Sequence, residues 1–196
     1  MNVLPLVPSH KNLFVSDFIS IDCGLTANSS YAEATTGINY ISDAAFIDTG
    51  VSKNISTEFK GSLQQQTWSL RSFPQGIRNC YSINITQGTK YLIRATFLYG
   101  NYDGQIKLPQ FDLHLGSNLW DTIKIKNISV DVFKELIHVP SLNYIHVCLV
   151  NMGLGTPFIS AIELRKLDSK TYVTQSGSLA LFLRLDLGSV NGTAYR

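Results

Sequence analysis

The sequence predicts an all-β protein, an antiparallel β-sandwich. Eight or nine short runs alternate apolar and polar residues with the two-residue period of a half-buried strand. Clusters of Gly, Pro, Asn, Asp and Ser separate those runs. No amphipathic stretch is long enough for a helix of ordinary length. Many short strands with turns between them are the signature of a sandwich.

In chain order, residues 1–16 read as a poorly ordered leader. Phe18 to Cys23 is the first strand, with Ile19 and Ile21 on one face, and Gly24 stops it. Ala27 to Ser42 is polar and reads as an irregular connection. Ser42 is placed to cap one helical turn over Asp43 to Phe46. Gln64 to Phe73 alternates weakly and ends at Pro74. Cys80 to Thr86 and Tyr91 to Tyr99 read as a hairpin across Gln87, Gly88 and Thr89.

The clearest unit is Lys90 to Gly116. Tyr91, Ile93, Ala95, Phe97 and Tyr99 share one strand face, and Phe111, Leu113 and Leu115 repeat the pattern. Gly100 to Gln110 between them is about twice the length of an ordinary hairpin loop, and such loops are often functional. Strands follow over Thr122 to Lys126, Leu136 to Val139, Tyr144 to Val150 and Phe158 to Leu164. Tyr144 to Val150 is apolar on both faces and is expected to be central. Residues 168–180 read as a linker. Leu181 to Gly188 echoes the opening FISIDCG, so residues 181–196 read as the start of a second copy of the domain.

The chain has 196 residues, 44% of them hydrophobic, enough for one domain with a core. Charged residues make up 15%, below the usual quarter or so. A net charge of +2, scattered along the chain, excludes nucleic acid as a partner. No run of about 18 apolar residues is present, so direct membrane insertion by this chain is excluded too. The first residues lack a basic segment, and Pro5, Pro8, His10 and Lys11 interrupt any apolar core, so they do not read as a secretory signal.

Other features point outside the cell. Glycosylation sequons occur at Asn28, Asn54, Asn84, Asn127 and Asn191. Asn84 falls on the strand face opposite Ile83 and Ile85. Three cysteines fit no metal spacing. Cys148 sits in the apolar run IHVCLV and is read as a packed small hydrophobe. Cys23 and Cys80 lie beside turn signals and are the expected disulfide pair.

Phe46 to Gly50 (FIDTG) is the sharpest short motif, the local signature of an aspartic protease. That chemistry needs a second such carboxylate, and Asp186-Leu187-Gly188 lacks the hydroxyl residue. A strand-end turn is the simpler reading. The four histidines show no zinc spacing, and His114 reads as an outward-facing strand residue. No cofactor is expected. Tyr99, Tyr102 and Asp103 are the candidate ligand-binding residues, because aromatic faces stack on sugar C–H surfaces and a carboxylate accepts from hydroxyls. The alternative is that the tyrosines only pack the loop onto the sheet.

Taken together, FISIDCG, INYISDAAFIDTG, LRSFPQGIRNCY, GTKYLIRATFLYGNYDG, PQFDLHLGSNLWDTI, IHVCLVNMGLGTPFISAIELR and LFLRLDLGS resemble the malectin-like domain of plant leucine-rich-repeat receptor kinases. The match covers residues 17–167, with a second repeat starting after Leu181. The resemblance implies a jelly-roll-like sandwich at the extracellular face of the plasma membrane. It implies a non-enzymatic recognition module whose Ser/Thr kinase, repeats and membrane helix are not in this chain. Its partners would be a cell-wall glycan, a secreted peptide or a co-receptor ectodomain. In animal malectin an aromatic pair at the sandwich rim binds a glucose disaccharide, and Tyr99 and Tyr102 are the nearest matches. A stand-alone lectin-like module is the alternative, and an aspartic protease using Asp48 a remote one.

Overall fold

The computed structural model describes residues 18–173 and 177–181. In chain order the strands among them are β1 (Phe18–Asp22), β2 (Ser30–Ala32), β3 (Asn39–Ser42), β4 (Val51–Asn54), β5 (Ser69–Ser72), β6 (Arg78–Asn84) and β7 (Tyr91–Phe97). They continue with β8 (Gln110–Leu115), β9 (Asn118–Lys124), β10 (Val132–His138), β11 (Tyr144–Leu154), β12 (Phe158–Ile159), β13 (Ala161–Lys166) and β14 (Ser178–Ala180). A seven-stranded sheet runs β14-β10-β7-β13-β1-β3-β2 and a four-stranded sheet runs β6-β11-β8-β9. A small third sheet, β12-β5-β4, completes the set. The pairs are antiparallel except β1 with β3, which run parallel. The connection between them, read as irregular, holds β2, which pairs back onto β3.

The core lies between the two large sheets. Tyr91, Ile93, Ala95 and Phe97 of β7 are all buried, and so are Tyr81 and Ile83 of β6 and Phe111 and Leu113 of β8. At about 25 cal/mol per Å² of apolar area, these inward rows dominate the stability of a sandwich. Tyr144 to Val150 is central as expected, flanked by β6 and β8. Ser42 caps the 3-10 turn Asp43–Ala45, its Oγ accepting from the Ala44 N–H at 3.2 Å.

Two expectations are corrected. Cys80 to Thr86 and Tyr91 to Tyr99 do not form a hairpin: β6 pairs with β11, whereas β7 lies between β10 and β13 in the other sheet. The 86–89 connection crosses the sandwich, with the Gly88 N–H bonded to Pro140 O at 2.9 Å. Alternation identifies the buried face of a strand but does not identify its neighbour. The disulfide joins Cys80 to Cys148, not to Cys23. Tyr81 and Ile83 point into the core, so Cys80 faces outward, directly opposite Cys148 in the β6–β11 register. Cys23 is a free thiol, fully buried at the end of β1.

Residues 1–16, read as leader, lie outside the described residues, as do residue 17 and residues 182–196 with the sequon Asn191. Within the stretch read as linker, Ser178–Ala180 adds to the seven-stranded sheet beside Leu136–His138.

Candidate functional site

The expected binding edge, Gly100 to Gln110, falls almost wholly in the 98–109 loop, which crosses from β7 in one sheet to β8 in the other. Its polar groups bond to one another. The Tyr99 hydroxyl donates to Asp103 Oδ1 at 2.5 Å and accepts from the Lys107 N–H at 3.2 Å. Asp103 Oδ1 also accepts from the Gln105 N–H, and Asn101 Oδ1 accepts from the Ile106 N–H. Tyr99 is fully buried, edge-on to Tyr102 at 5.4 Å and tilted against Phe158 at 6.1 Å. Burial, then the bond to Asp103, pushes the Tyr99 hydroxyl well above its ordinary range, which keeps it a donor. Tyr102 is half-buried, its ring against Phe158 and its hydroxyl 3.2 Å from Ser72 Oγ.

Gly100 fixes the start of the loop. Its φ is +48°, and a Cβ there would come within 2.5 Å of Ile55. Its N–H donates to Ile128 O and its carbonyl accepts from the Ser56 N–H, both at 2.8 Å. Of the three residues expected to bind sugar, Tyr99 presents no face to solvent, Tyr102 is half-buried, and Asp103 is exposed with its Oδ1 already accepting two hydrogen bonds.

Asp48, the remote protease candidate, sits where the simpler strand-end-turn reading puts it. Asp48 is exposed on the turn before β4. The turn follows from packing: Gly50 has φ +82°, and a Cβ there would meet the Phe73 ring at 2.7 Å. Arg71 donates to Thr49 O and, through Nη2, to Asp43 Oδ1 at 2.7 Å. That second carboxylate is fully buried and also accepts from the Tyr81 hydroxyl at 3.0 Å. It serves the core rather than a shared-proton pair.

A different region is open. β9 is the outer strand of the four-stranded sheet, and β10 lies one strand in from the edge of the seven-stranded sheet. β14 covers only Leu136–His138 of β10. The two edges face each other along one side of the sandwich, crossed by the ion pair of Lys134 Nζ with Asp121 Oδ2 at 2.7 Å. At one end this seam widens into a groove of about 670 Å³, within the range of small-ligand sites. Leu136, Ile145 and Trp120 form an apolar floor, and His138, Tyr144 and His146 stand on the rim. Tyr144 is 42% exposed, with its ring 5.0 Å from the His146 imidazole. His138 Nδ1 and Ser178 Oγ are hydrogen-bonded at 2.7 Å. Burial holds the His138 imidazole below its ordinary range, so it is neutral at pH 7. Among the described residues no Asp, Glu, Lys or Arg lines the groove, so it suits an uncharged ligand surface.

Sequence reading missed this site because its walls come from the β8–β9 turn, β10, β11 and β14, on two sheets. The available signal was Tyr144 and His146 two residues apart on one strand face, with Trp120 and His138 on other strands. Asn28, Asn54, Asn84 and Asn127 are all exposed. Among the described residues, no group of three or more His, Cys, Asp or Glu is arranged to hold a metal ion. Nor is any helix among them long and apolar enough to cross a membrane.

Residues 21–196 match the family model described as the malectin-like domain. The LRR receptor-like serine/threonine-protein kinase IOS1 of Arabidopsis thaliana is 51% identical over 181 residues, 92% of this chain and 20% of its own length. The chain thus spans about a fifth of the length of the curated relatives it matches. Among solved structures, the ANX2 ectodomain from Arabidopsis thaliana superimposes with a TM-score of 0.65 at 15% identity, covering 77% of this chain and 42% of that one. The plant peptide RALF23 in complex with FER and LLG2 gives 0.62 at 14% identity, covering 79% and 40%. At such identities the structural likeness shows the jelly-roll-like sandwich alone.

Proposed function

Because the chain belongs to the malectin-like domain family, we propose that it is an extracellular, non-enzymatic recognition lobe of a receptor-like kinase, with its ligand site in the groove between β9, β10 and β11. The observation that carries the site is an uncharged concavity with Trp120 in its floor and a Tyr144–His146 pair on its rim. Aromatic anchors in a partly desolvated pocket supply most of the energy in typical recognition surfaces. The partner class is a secreted peptide or a co-receptor ectodomain, because the FER structure is of a complex with a peptide and LLG2. A neutral cell-wall glycan is the second candidate, since the groove offers ring faces and hydroxyl partners without charge. The exposed sequons Asn28, Asn54, Asn84 and Asn127 fit N-glycan attachment in a secreted chain.

The test is binding by the secreted 196-residue chain to neutral gluco-oligosaccharides and to extracellular peptide fractions. Wild type is compared with Trp120→Ala/Tyr144→Ala and with Tyr102→Ala. The groove variant is expected to lose at least about tenfold in affinity, and Tyr102→Ala to keep it. Loss in Tyr102→Ala alone would return the site to the 98–109 loop. Endoglycosidase treatment with mass analysis tests the glycans.

A further inference from the structure

Past the Lys134–Asp121 ion pair the seam opens again, into a second concavity of about 450 Å³. Its wall differs from that of the groove. Lys124, Lys126 and Lys134 line it with Val130 and Val132, and among the described residues no carboxylate does. Val130 is 53% exposed. Lys134 is engaged by Asp121, while Lys124 and Lys126 are exposed and have no ion-pair partner among the described residues. Among the described residues, β9, which supplies Thr122 and Lys124, has a paired neighbour on one side only, and its Thr122 N–H is held by Asp121 Oδ1 at 2.7 Å, a bond that an added strand would replace.

We propose that this basic half of the seam docks an extended acidic peptide segment, which adds to the free edge of β9. Each feature selects one property of such a partner. An open strand edge offers backbone donors and acceptors in register, which an extended peptide satisfies and a sugar chain does not. Val130 and Val132 give alternate side chains an apolar seat. Lys124 and Lys126 supply uncompensated positive charge where that partner places carboxylates. A lysine at the end of an edge strand, here Lys124, also helps guard it against pairing with a second copy of itself. The guard rejects self-pairing and admits an acidic strand. The proposal stands apart from the uncharged groove and survives if that groove binds nothing.

The sequon at Asn127 lies on the rim of this concavity, so a glycan there would cover its mouth. The chain is therefore tested after enzymatic deglycosylation. The probe is a fluorescein-labelled hexapeptide of alternating glutamate and valine, followed by anisotropy at low salt. Controls are the alternating lysine–valine peptide, the acidic peptide N-methylated at alternate residues, and hexagalacturonate. Saturable binding of the acidic peptide is expected, weakened at least about tenfold in Lys124→Gln/Lys126→Gln and retained in Lys124→Arg/Lys126→Arg. Raising salt weakens it, and N-methylation removes it. No saturable binding, or equal binding by the Gln variant, overturns the proposal. Equal binding of the N-methylated peptide overturns the edge pairing, and tighter binding of hexagalacturonate overturns the peptide assignment. The result for Trp120→Ala/Tyr144→Ala is independent of all of these.

Discussion

In the 98–109 loop, tyrosines, an aspartate and an asparagine face one another; in the β9–β10 seam, Tyr144, Lys124 and Lys126 are exposed. Both regions carry residue types that bind ligands. The difference is whether their polar groups already have partners. Tyr99, Asp103 and Asn101 are bonded within the loop, and Ser72 holds Tyr102 from β5. The same strand engages the two buried carboxylates behind it, Ser69 bonding Asp22 and Arg71 bonding Asp43. Lys124 and Lys126 have no such engagement among the described residues. A closed network stabilises the fold; an open set of groups on a concave surface is free to meet a partner.

The largest expected effect tests that division directly. Tyr99→Ala removes a fully buried ring from the Tyr102–Phe158 cluster and is expected to cost about 3–5 kcal/mol, measured by urea denaturation. Lys124→Gln/Lys126→Gln, on the open side, is expected to stay within about 0.5 kcal/mol. Comparable losses in both would mean that the lysines also belong to the closed side.

How much of this was legible in the sequence follows from what alternation encodes. The period of two placed Tyr91, Ile93, Ala95 and Phe97 in the core and Asn84 outside. Ser42 announced its turn because capping is local. The β6–β7 crossover was invisible, since two strands buried from opposite sheets show the same alternation as two hydrogen-bonded neighbours. The Cys80–Cys148 bond was missed for the same reason: it depends on β6 lying beside β11, a pairing separated by 68 residues in sequence. The groove needs both sheets assembled before Trp120 and Tyr144 come together. The 98–109 loop was read as a binding edge because its composition is visible in sequence, whereas its internal hydrogen bonds are not.

The two regions are expected to respond to pH with opposite sign. Burial pushes the Asp22 carboxyl up to about 7, with the bonds from Ser69 and Tyr31 opposing that rise. A folded value above the unfolded 3.8 means that the folded state holds a proton the unfolded state has released. This contribution is full below pH 3.8 and lost as pH rises through 7, about 2–3 kcal/mol between pH 5 and pH 8. His138 on the seam is shifted down by burial. Its contribution is present above the unfolded value of about 6.5 and is lost as pH falls below it toward the folded value. Urea midpoints from pH 5 to 8 should show Asp22→Asn removing stability gained toward acid and His138→Gln removing stability lost there. Parallel changes in the two variants would contradict the assignment of opposite environments.

Gly100→Ala is a smaller disturbance of the closed side. The added Cβ would meet Ile55 at 2.5 Å at a positive φ, so a loss of about 2 kcal/mol is expected. Faster amide exchange over residues 100–107 should accompany it, with β9 unchanged. If exchange rises in β9 instead, the loop and the seam are mechanically coupled and cannot be treated as separate regions.

The smallest effect concerns the ion pair that crosses the seam. Lys134 and Asp121 lie 2.7 Å apart with side chains 33% and 40% exposed, so solvent screens most of their attraction. A double-mutant cycle with Lys134→Ala and Asp121→Ala is expected to return a coupling of about 0.5 kcal/mol, falling further at high salt. A value this small means that the ion pair itself does little to hold the seam closed against an entering strand. A coupling above about 2 kcal/mol would mean that the pair is effectively desolvated and the seam held shut. The β9 edge would then be closed in the same sense as the 98–109 loop, and the contrast between the two regions would disappear.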